Sequence, residues 1–185
     1  MTGGIGALAA FAGVFGYLAW LYNRLIRLRN LVRSSWSDID VLLKKRHDLV
    51  GNLVETVKGY AAHEKTVLLG VTEARAKAMR AAGPREKGKE ETVLGETLKS
   101  LFAVAESYPD LKANTIFLEL QRQLAEIENE IEYARRYYNA VVRDYNTSTE
   151  TFPANVVAPG LGFGRAEFFR IESPPERERT DVRLT

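Results

Sequence analysis

The chain has 185 residues, no cysteine, and 26 basic against 24 acidic side chains, which gives a formal net charge of +2. This length suits one domain of ordinary size. The lack of cysteine excludes disulfide scaffolds, cysteine-ligated zinc or iron–sulfur sites and thiol catalysis. The charge balance argues against a generic nucleic-acid-binding protein.

The N-terminal block, residues 1–23, contains no charged side chain. Its apolar run from Ile5 to Tyr22 spans 18 residues, and as a helix it would rise about 27 Å, close to the thickness of the hydrocarbon core of a membrane. Tyr17, Trp20 and Tyr22 lie near its end, as residues of an interfacial aromatic belt do. A cleaved signal peptide would need a basic n-region, which the first four residues lack. We therefore predict a transmembrane helix here, rather than a signal peptide or a buried core helix.

Four arginines follow the apolar run with no acidic residue among them: Arg24, Arg27, Arg29 and Arg33. By the positive-inside rule they predict a single-pass protein of the cell (inner) membrane, with its short N-terminus outside and its C-terminal body in the cytoplasm. Juxtamembrane basic groups also gain about 1 kcal/mol each near anionic lipid. The alternative is therefore that these arginines bind the lipid surface directly, together with Lys44, Lys45 and Arg46. We expect the four arginines mainly to set the topology.

Small residues recur four positions apart within the apolar run, in the pairs Gly6/Ala10, Ala9/Gly13 and Ala12/Gly16. Such spacing lets the backbones of two membrane helices approach closely. Because small residues are common in membrane helices, this pattern is a minor indication of packing between copies through Gly6, Ala10, Gly13 and Gly16.

A heptad pattern runs from Leu25 to Ala78, with two apolar rows on one face that only Arg46 and Glu64 interrupt. Alternating spacings of four and three predict one long helix. Glycines weaken a helix locally by roughly 0.5–1 kcal/mol, so we expect bends at Gly51, Gly59 or Gly70. The polar stretch 82–89, with its glycines and Pro84, predicts a loop.

Two further helices follow in the predicted order. The second carries an apolar side with Leu94, Leu98, Leu101, Ala105 and Tyr108. The third is capped by Asp110, ends near Ser148, and repeats the heptad spacing from Phe117 through Leu124, Ile131 and Tyr138 to Tyr145. Its acidic run from Glu126 to Glu132 complements the basic first helix, and we expect it to form a solvated or partner-facing edge.

Single apolar stripes must be buried against one another, so the sequence predicts an all-α protein with a long antiparallel up-and-down bundle. We divide the chain into a transmembrane helix at 1–23, a helical bundle at 24–150 and an irregular tail at 151–185. The tail places Phe163, Phe168, Phe169 and Ile171 among glycines and prolines, and we expect disorder from Ser173 onward.

Motifs for catalysis and cofactor binding fail on inspection. His63-Glu64 lacks the histidine that a zinc protease motif needs at position 67, which is valine, and His47 lies sixteen residues from His63. Gly83 to Lys89 has the spacing of a P-loop, but Glu90 replaces the required Ser or Thr. We expect surface or interface histidines, no catalytic, cofactor or metal site, and no enzymatic activity.

Tyrosine and asparagine repeat seven residues apart on the third helix, as Tyr138-Asn139 and Tyr145-Asn146. Buried phenols and amides need hydrogen-bond partners. We therefore interpret Tyr138, Asn139, Tyr145 and Asn146 as a polar layer that fixes helix register, in preference to a ligand site.

These segments together resemble one family. The N-terminal part of the pattern comprises Tyr22-Asn23-x-Leu25-x-x-Leu28-Arg29-Asn30, Trp36-Ser37-x-Ile39-Asp40-Val41 and Lys45-Arg46-x-Asp48-Leu49-Val50-x-Asn52-Leu53-Val54-Glu55-Thr56-Val57-Lys58-Gly59-Tyr60-Ala61-x-His63-Glu64. The later part comprises Tyr108-Pro109-Asp110-Leu111-Lys112-Ala113, Leu120-Gln121-x-Gln123-Leu124, Ala134-Arg135-Arg136-x-Tyr138-Asn139, Tyr145-Asn146 and Phe152-Pro153-Ala154-Asn155. In order and spacing they are similar to the LemA family, which commonly has proline where this chain has Gly51.

The resemblance to LemA implies a membrane-anchored helical bundle with no established catalytic activity and no cofactor. It also implies association of some relatives with membrane zinc metalloproteases of the HtpX type, and of others with magnetosome membranes. We therefore expect a scaffold or adaptor that forms homo-oligomers and binds or regulates a membrane protein, with no nucleic-acid partner. The alternative is a protein that binds anionic lipid or shapes the membrane.

Overall fold

The computed structural model describes residues 2–171, with side chains from Leu8 onward. The helices are α1 (Thr2–Lys58), α2 (Lys65–Arg80), α3 (Gly83–Ala105), α4 (Pro109–Lys112), α5 (Thr115–Glu150) and α6 (Ala154–Val157), followed by a 3-10 turn at Pro159–Leu161. No strand occurs in this part of the chain, and the prediction of an all-α protein is confirmed. The segment from Ser173 on, for which we expected disorder, lies outside the described residues.

The chain forms two compact units. Among the described residues, the terminal unit contains residues 2–39 and Tyr133–Phe168, and the central unit contains Asp40–Glu132 and residues 169–171. The long helices α1 and α5 contribute residues to both units.

The central unit is an up-and-down arrangement of helices. Arg75 on α2 donates a hydrogen bond from Nε to the carbonyl oxygen of His47 on α1, at 2.6 Å. Tyr108, just after α3, donates from its hydroxyl to Glu64 at the start of α2, at 3.1 Å, so α2 and α3 run in opposite directions. The helices bury the predicted apolar rows between them, including Leu43, Val50, Leu53, Val57, Val71, Ala78, Leu94, Leu98, Leu101, Phe117, Leu124 and Ile131.

The prediction of one helix from Leu25 to Ala78 is wrong at residues 59–64. Helix α1 ends at Lys58, and α2 begins only at Lys65. The amide groups of Tyr60 and Ala61 both bond to the carbonyl oxygen of Val57, which closes a tight turn that starts at Gly59. Because the chain reverses here, the apolar rows of α1 and α2 bury each other, which one straight helix could not do. Gly51 stays inside α1.

The predicted loop at 82–89 is also wrong, because α3 already begins at Gly83. Pro84 lies in its first turn, where a missing amide hydrogen costs no intrahelical bond. Glu86 accepts a hydrogen bond from the amide of Ala82 at 3.1 Å, which satisfies a donor just before the helix. The connection between α2 and α3 is therefore only two residues long.

Helix α5 begins at Thr115, after a short α4 that contains Asp110. The cap is Asn114, whose Oδ1 accepts a hydrogen bond from the amide of Phe117 at 3.0 Å, so the predicted cap at Asp110 is wrong. The heptad row on α5 is confirmed, since Phe117, Leu124, Ile131, Tyr138 and Tyr145 are all buried.

In the terminal unit, α1 and α5 run antiparallel. The rings of Trp36 and Tyr138 lie 5.4 Å apart, while Tyr145, two turns further along α5, packs in a buried cluster with Leu21 and Leu25. Ala154, Ala158 and Phe163, from the chain after α5, complete this cluster.

The N-terminal part of α1 differs from the rest in composition. Among the residues whose side chains the structure describes, no helix has a stretch long and apolar enough to cross a membrane. The predicted transmembrane run begins at Ile5, and the side chains of residues 1–7 lie outside the described part. The membrane span thus stays a prediction.

Candidate functional site: an apolar helix segment and a buried ion network

The N-terminal part of α1 has a continuous, exposed apolar surface. Every residue from 8 to 20, which we call the apolar segment, is exposed, and none is charged. Its two phenylalanines are the most exposed of its large side chains, with Phe11 at 78% and Phe15 at 76% of their full accessible areas. Such a surface marks contact with a membrane or another protein.

The small residues of this segment line open space. Ala10, Gly13 and Gly16 are exposed, and a Cβ atom added at either glycine would meet no atom within 4 Å. The side of α1 at Gly6 lies outside the described residues. At Gly13 and Gly16 there is therefore room for another helix to approach closely.

The arginines that follow the apolar segment differ in their surroundings. Arg24, Arg27 and Arg33 are exposed, and the Arg24 guanidinium lies 5.4 Å from the ring centre of Trp20. Arg29 is half-buried, and its guanidinium lies 4.8 Å from the ring centre of Phe163. Three of the four predicted side chains are thus free to meet a surface, whereas Arg29 also packs within the fold.

The tyrosine and asparagine pairs of α5 hold the chain that follows the helix. The Tyr138 hydroxyl donates to the carbonyl oxygen of Glu167 at 2.8 Å. Asn146 donates to the carbonyl oxygen of Ala166 at 3.0 Å and accepts from the amide of Ala166 at 2.8 Å. Burial, with Glu167 nearby, raises the pKa of Tyr138 to about 12.

The other members of these pairs lie at different depths. Tyr145 is buried in the apolar cluster of the terminal unit, and burial raises its pKa while Arg29 and Arg33 oppose the shift. Asn139 is half-buried. The side-chain hydrogen bonds of Tyr138 and Asn146 described above end on the backbone of residues 166–167, so these side chains anchor an extended segment.

A buried ion network in the central unit was missed from the sequence. Arg46 Nη1 lies 2.6 Å from Glu91 Oε2, and Nη2 lies 2.7 Å from Glu128 Oε1. His47 Nε2 lies 2.7 Å from the other oxygen of Glu91. Arg46, His47 and Glu91 are each less than 5% exposed, so the network joins α1, α3 and α5 through their interior.

These positions correct one prediction and narrow another. Arg46 cannot reach a lipid surface because two carboxylates hold it inside the fold. Of the surface and interface positions expected for the histidines, His47 takes the interface, since it is buried between α1 and α3. One signal in the sequence pointed this way, since Arg46 occupies a position of the buried heptad row. Its partner Glu91 carried no comparable signal, because the stretch before it was assigned to a loop. Partial desolvation raises the pKa of Glu128, and Arg46 opposes that shift.

A groove of about 480 Å³ lies beside this network in the central unit. Its walls come from α3, α5 and Ile171, with Leu98, Phe102 and Leu124 supplying apolar surface. Between Leu8 and Ile171, no three histidine, aspartate or glutamate side chains lie close enough to hold a metal ion. The side chains of this network bind one another and so connect α1, α3 and α5.

Fold and contacts together define an all-helical protein with an exposed apolar helix end and internal polar connections between its helices. This chain belongs to the LemA family, whose family model matches residues 35–184. Protein LemA of Metamycoplasma hominis is 28% identical over 164 residues, which cover 86% of this chain and 72% of that protein.

Two magnetosome proteins are also similar to this chain. Magnetosome protein MamQ 2 of Paramagnetospirillum magneticum is 26% identical over 175 residues, and MamQ of Magnetospirillum gryphiswaldense is 23% identical over 174. Each alignment covers 80% of this chain and 64% of the relative, so the chain spans slightly less than two thirds of the length of these proteins.

Proposed function

We propose that this protein is a non-catalytic, single-pass membrane scaffold of the LemA type. Its N-terminus lies outside, and its helical body lies in the cytoplasm, where it self-associates and binds or regulates a membrane protein. The observation that carries the proposal is the uncharged, exposed apolar segment at residues 8–20, which ends just before the basic residues Arg24 and Arg27. In water this surface would cost free energy, whereas in lipid it would be solvated.

Insertion of the apolar segment can be tested by placing charge on it. Lysine near the centre of a membrane helix costs about 2.5–3.5 kcal/mol per residue. We expect the double variant Phe11→Lys/Phe15→Lys to leave the membrane fraction after alkaline carbonate washing, while the wild-type protein stays in it. The matched control is Ile116→Lys/Leu118→Lys, which changes two exposed apolar residues of α5. Equal retention of both variants would contradict the proposal.

Self-association is supported by the open space along Gly13 and Gly16. We expect cross-linked dimers of the full-length protein in native membranes. Because close approach of two helices needs small side chains, Gly13→Leu/Gly16→Leu should abolish them. Gly70→Leu, which also adds a side chain in open space on a helix, should leave them unchanged. Dimers of equal yield in both variants would exclude this helix face as the contact.

The partner that we propose is an integral membrane protein held by helix packing, with a zinc metalloprotease of the HtpX type as the first candidate from the family resemblance. The names of the MamQ relatives place them in magnetosomes, which supports a role at a specialised membrane. Cross-linking mass spectrometry of the tagged full-length protein in native membranes tests this. Cross-links to no membrane protein other than itself would contradict an adaptor role.

The exposure of Arg24, Arg27 and Arg33 favours a second candidate function, which is binding of anionic lipid or shaping of the membrane. In this case the full-length protein would associate more with vesicles containing phosphatidylglycerol than with neutral ones, and salt would weaken the preference. The triple variant Arg24→Gln/Arg27→Gln/Arg33→Gln should lose the preference. If it retains the preference but inserts in inverted orientation, the arginines only set topology.

A further inference from the structure

A second uncharged segment lies next to the apolar segment of α1 in the terminal unit. No residue from 151 to 164 is charged. The segment is bracketed by Glu150 and Arg165, whose side chains are 2.7 Å apart, between Oε1 and Nε. We call residues 152–161, which contain α6 and the 3-10 turn, the C-terminal flap. The flap is thus an apolar loop with a charged pair at its base.

The flap buries its alanines and exposes three of its four large apolar side chains, while Val157 is half-buried. Ala154 and Ala158 are 4% and 1% exposed, whereas Phe152 is 78%, Val156 70% and Leu161 48% exposed. A loop that is stabilised only by its own fold would bury the large side chains, because they gain most from leaving water. The outward face of the flap is therefore suited to contact with another apolar phase.

The outward face of the flap continues the apolar surface of α1. Val156 and Val157 line two shallow grooves together with α1 residues between Gly13 and Tyr22. Both grooves are lined entirely by uncharged residues. The contact reaches from Tyr22, two residues before Arg24, back along α1 to Gly13, so it begins at the level expected for the membrane interface.

We propose that the C-terminal flap inserts into the boundary between lipid headgroups and acyl chains beside α1, as a second membrane contact. This inference rests on the proposed function, because it requires the apolar segment of α1 to lie in the membrane. The occupant is lipid. The exposed Arg24 and Arg27 follow the apolar segment along α1 and complement anionic headgroups, and the apolar face of the flap continues the surface that the proposed function puts in the bilayer. The depth expected for such a segment is about 5–10 Å.

Because the chain has no cysteine, single cysteines can carry an environment-sensitive fluorophore in the full-length protein, reconstituted in vesicles of phosphatidylcholine and phosphatidylglycerol. The reporter sites are Val156→Cys and Leu161→Cys on the flap and Leu18→Cys on α1. Ile116→Cys on α5 is an equally exposed control. Circular dichroism checks that each labelled protein is folded.

We expect the fluorophores at both flap positions to shift to the blue and to lose emission to lipids brominated near the headgroup end of the acyl chain. The control at position 116 should do neither. Quenching at Leu18→Cys without quenching at either flap site would overturn this inference and leave the membrane anchor intact. No quenching at Leu18→Cys would reject the proposed function as well. Flap emission that depends on the ratio of protein to lipid, but not on bromine, would assign the flap to a second copy and overturn the proposal.

Discussion

Asn146 and Ala166 exchange two hydrogen bonds, one from the side-chain amide to the carbonyl oxygen and one from the backbone amide to Oδ1, at 3.0 and 2.8 Å. The Asn146 amide therefore pairs with a backbone as a neighbouring strand would, although the segment around Ala166 belongs to no sheet. Asn146 is 5% exposed, so its side chain is largely shielded from water. This one side chain links the extended C-terminal segment of the terminal unit to α5.

Replacing Asn146 should loosen that segment while the helices stay folded. Asn146→Ala leaves the backbone groups of Ala166 without partners, and each lost hydrogen bond costs about 1 kcal/mol. We expect hydrogen exchange at residues 163–168 to speed up by about tenfold or more, with little change along α5. Asn155→Ala, at an exposed position in α6, serves as the control. Equal protection in both variants would mean that packing alone holds the segment.

Removing the charge of Glu91 should destabilise the protein more than any surface substitution. Glu91→Gln leaves Arg46 and His47 buried without their shared carboxylate, and breaking a buried pair costs about 3–5 kcal/mol. Urea unfolding of the detergent-solubilised protein measures the loss. Glu73→Gln on the exposed face of α2 should stay within about 0.5 kcal/mol of wild type. A similar effect of both substitutions would show that Glu128 alone suffices to hold Arg46.

The free energy of unfolding should fall in alkaline solution because the buried Tyr138 loses its phenolic proton there. Its pKa of about 12 in the folded protein exceeds the value of about 10 expected for an unfolded chain. The folded state therefore binds the phenolic proton more tightly, so this contribution is complete below about pH 10 and disappears as pH rises toward 12. We expect Tyr138→Phe to lower the free energy of unfolding at pH 8, through loss of the bond to Glu167, and to flatten its decline above pH 10.

The comparison for Tyr138→Phe is Tyr133→Phe, because Tyr133 is 71% exposed. Its replacement should leave the pH dependence of unfolding unchanged. Absorbance titration at alkaline pH gives a second measurement, since the wild-type protein should contain one more late-titrating phenol than Tyr138→Phe. Identical alkaline unfolding curves for wild type and Tyr138→Phe would contradict the assignment.

Gly88 should tolerate no side chain. A Cβ atom at this position would lie 2.1 Å from the carbonyl oxygen of Arg170, so the backbone at residues 169–171 would have to move off α3. We expect Gly88→Ala to destabilise the protein by about 1–3 kcal/mol in thermal unfolding.

The opposite result is expected at Gly70 in α2, where a Cβ atom would meet no neighbour. Gly70→Ala should raise the free energy of unfolding by about 0.4–1 kcal/mol, because alanine reduces the entropy of the unfolded chain.

A stabilising effect of Gly88→Ala, in contrast, would mean that the C-terminal segment packs elsewhere in solution.

The burial of apolar side chains that repeat every three or four residues was predictable, because the buried face of a helix depends mainly on a local pattern. The α5 row from Phe117 to Tyr145 and the α1 row through Leu43, Val50 and Val57 are buried as expected. Helix ends were harder to predict. Gly59 and Gly70 look alike in sequence, yet only Gly59 ends a helix, because the packing of α2 against α1 requires a reversal there.

By itself, the sequence determined an all-helical protein of the LemA family, the faces its helices bury, and the uncharged apolar start of α1. Each of these follows from residue order over one or a few turns. Only the tertiary structure decided that Arg46 and His47 share Glu91, 45 and 44 residues further along the chain. It also decided that the backbone of Arg170 lies against Gly88 of α3, where a side chain would not fit. A buried charge or a close backbone approach depends on partners distant in the chain, which no local pattern specifies.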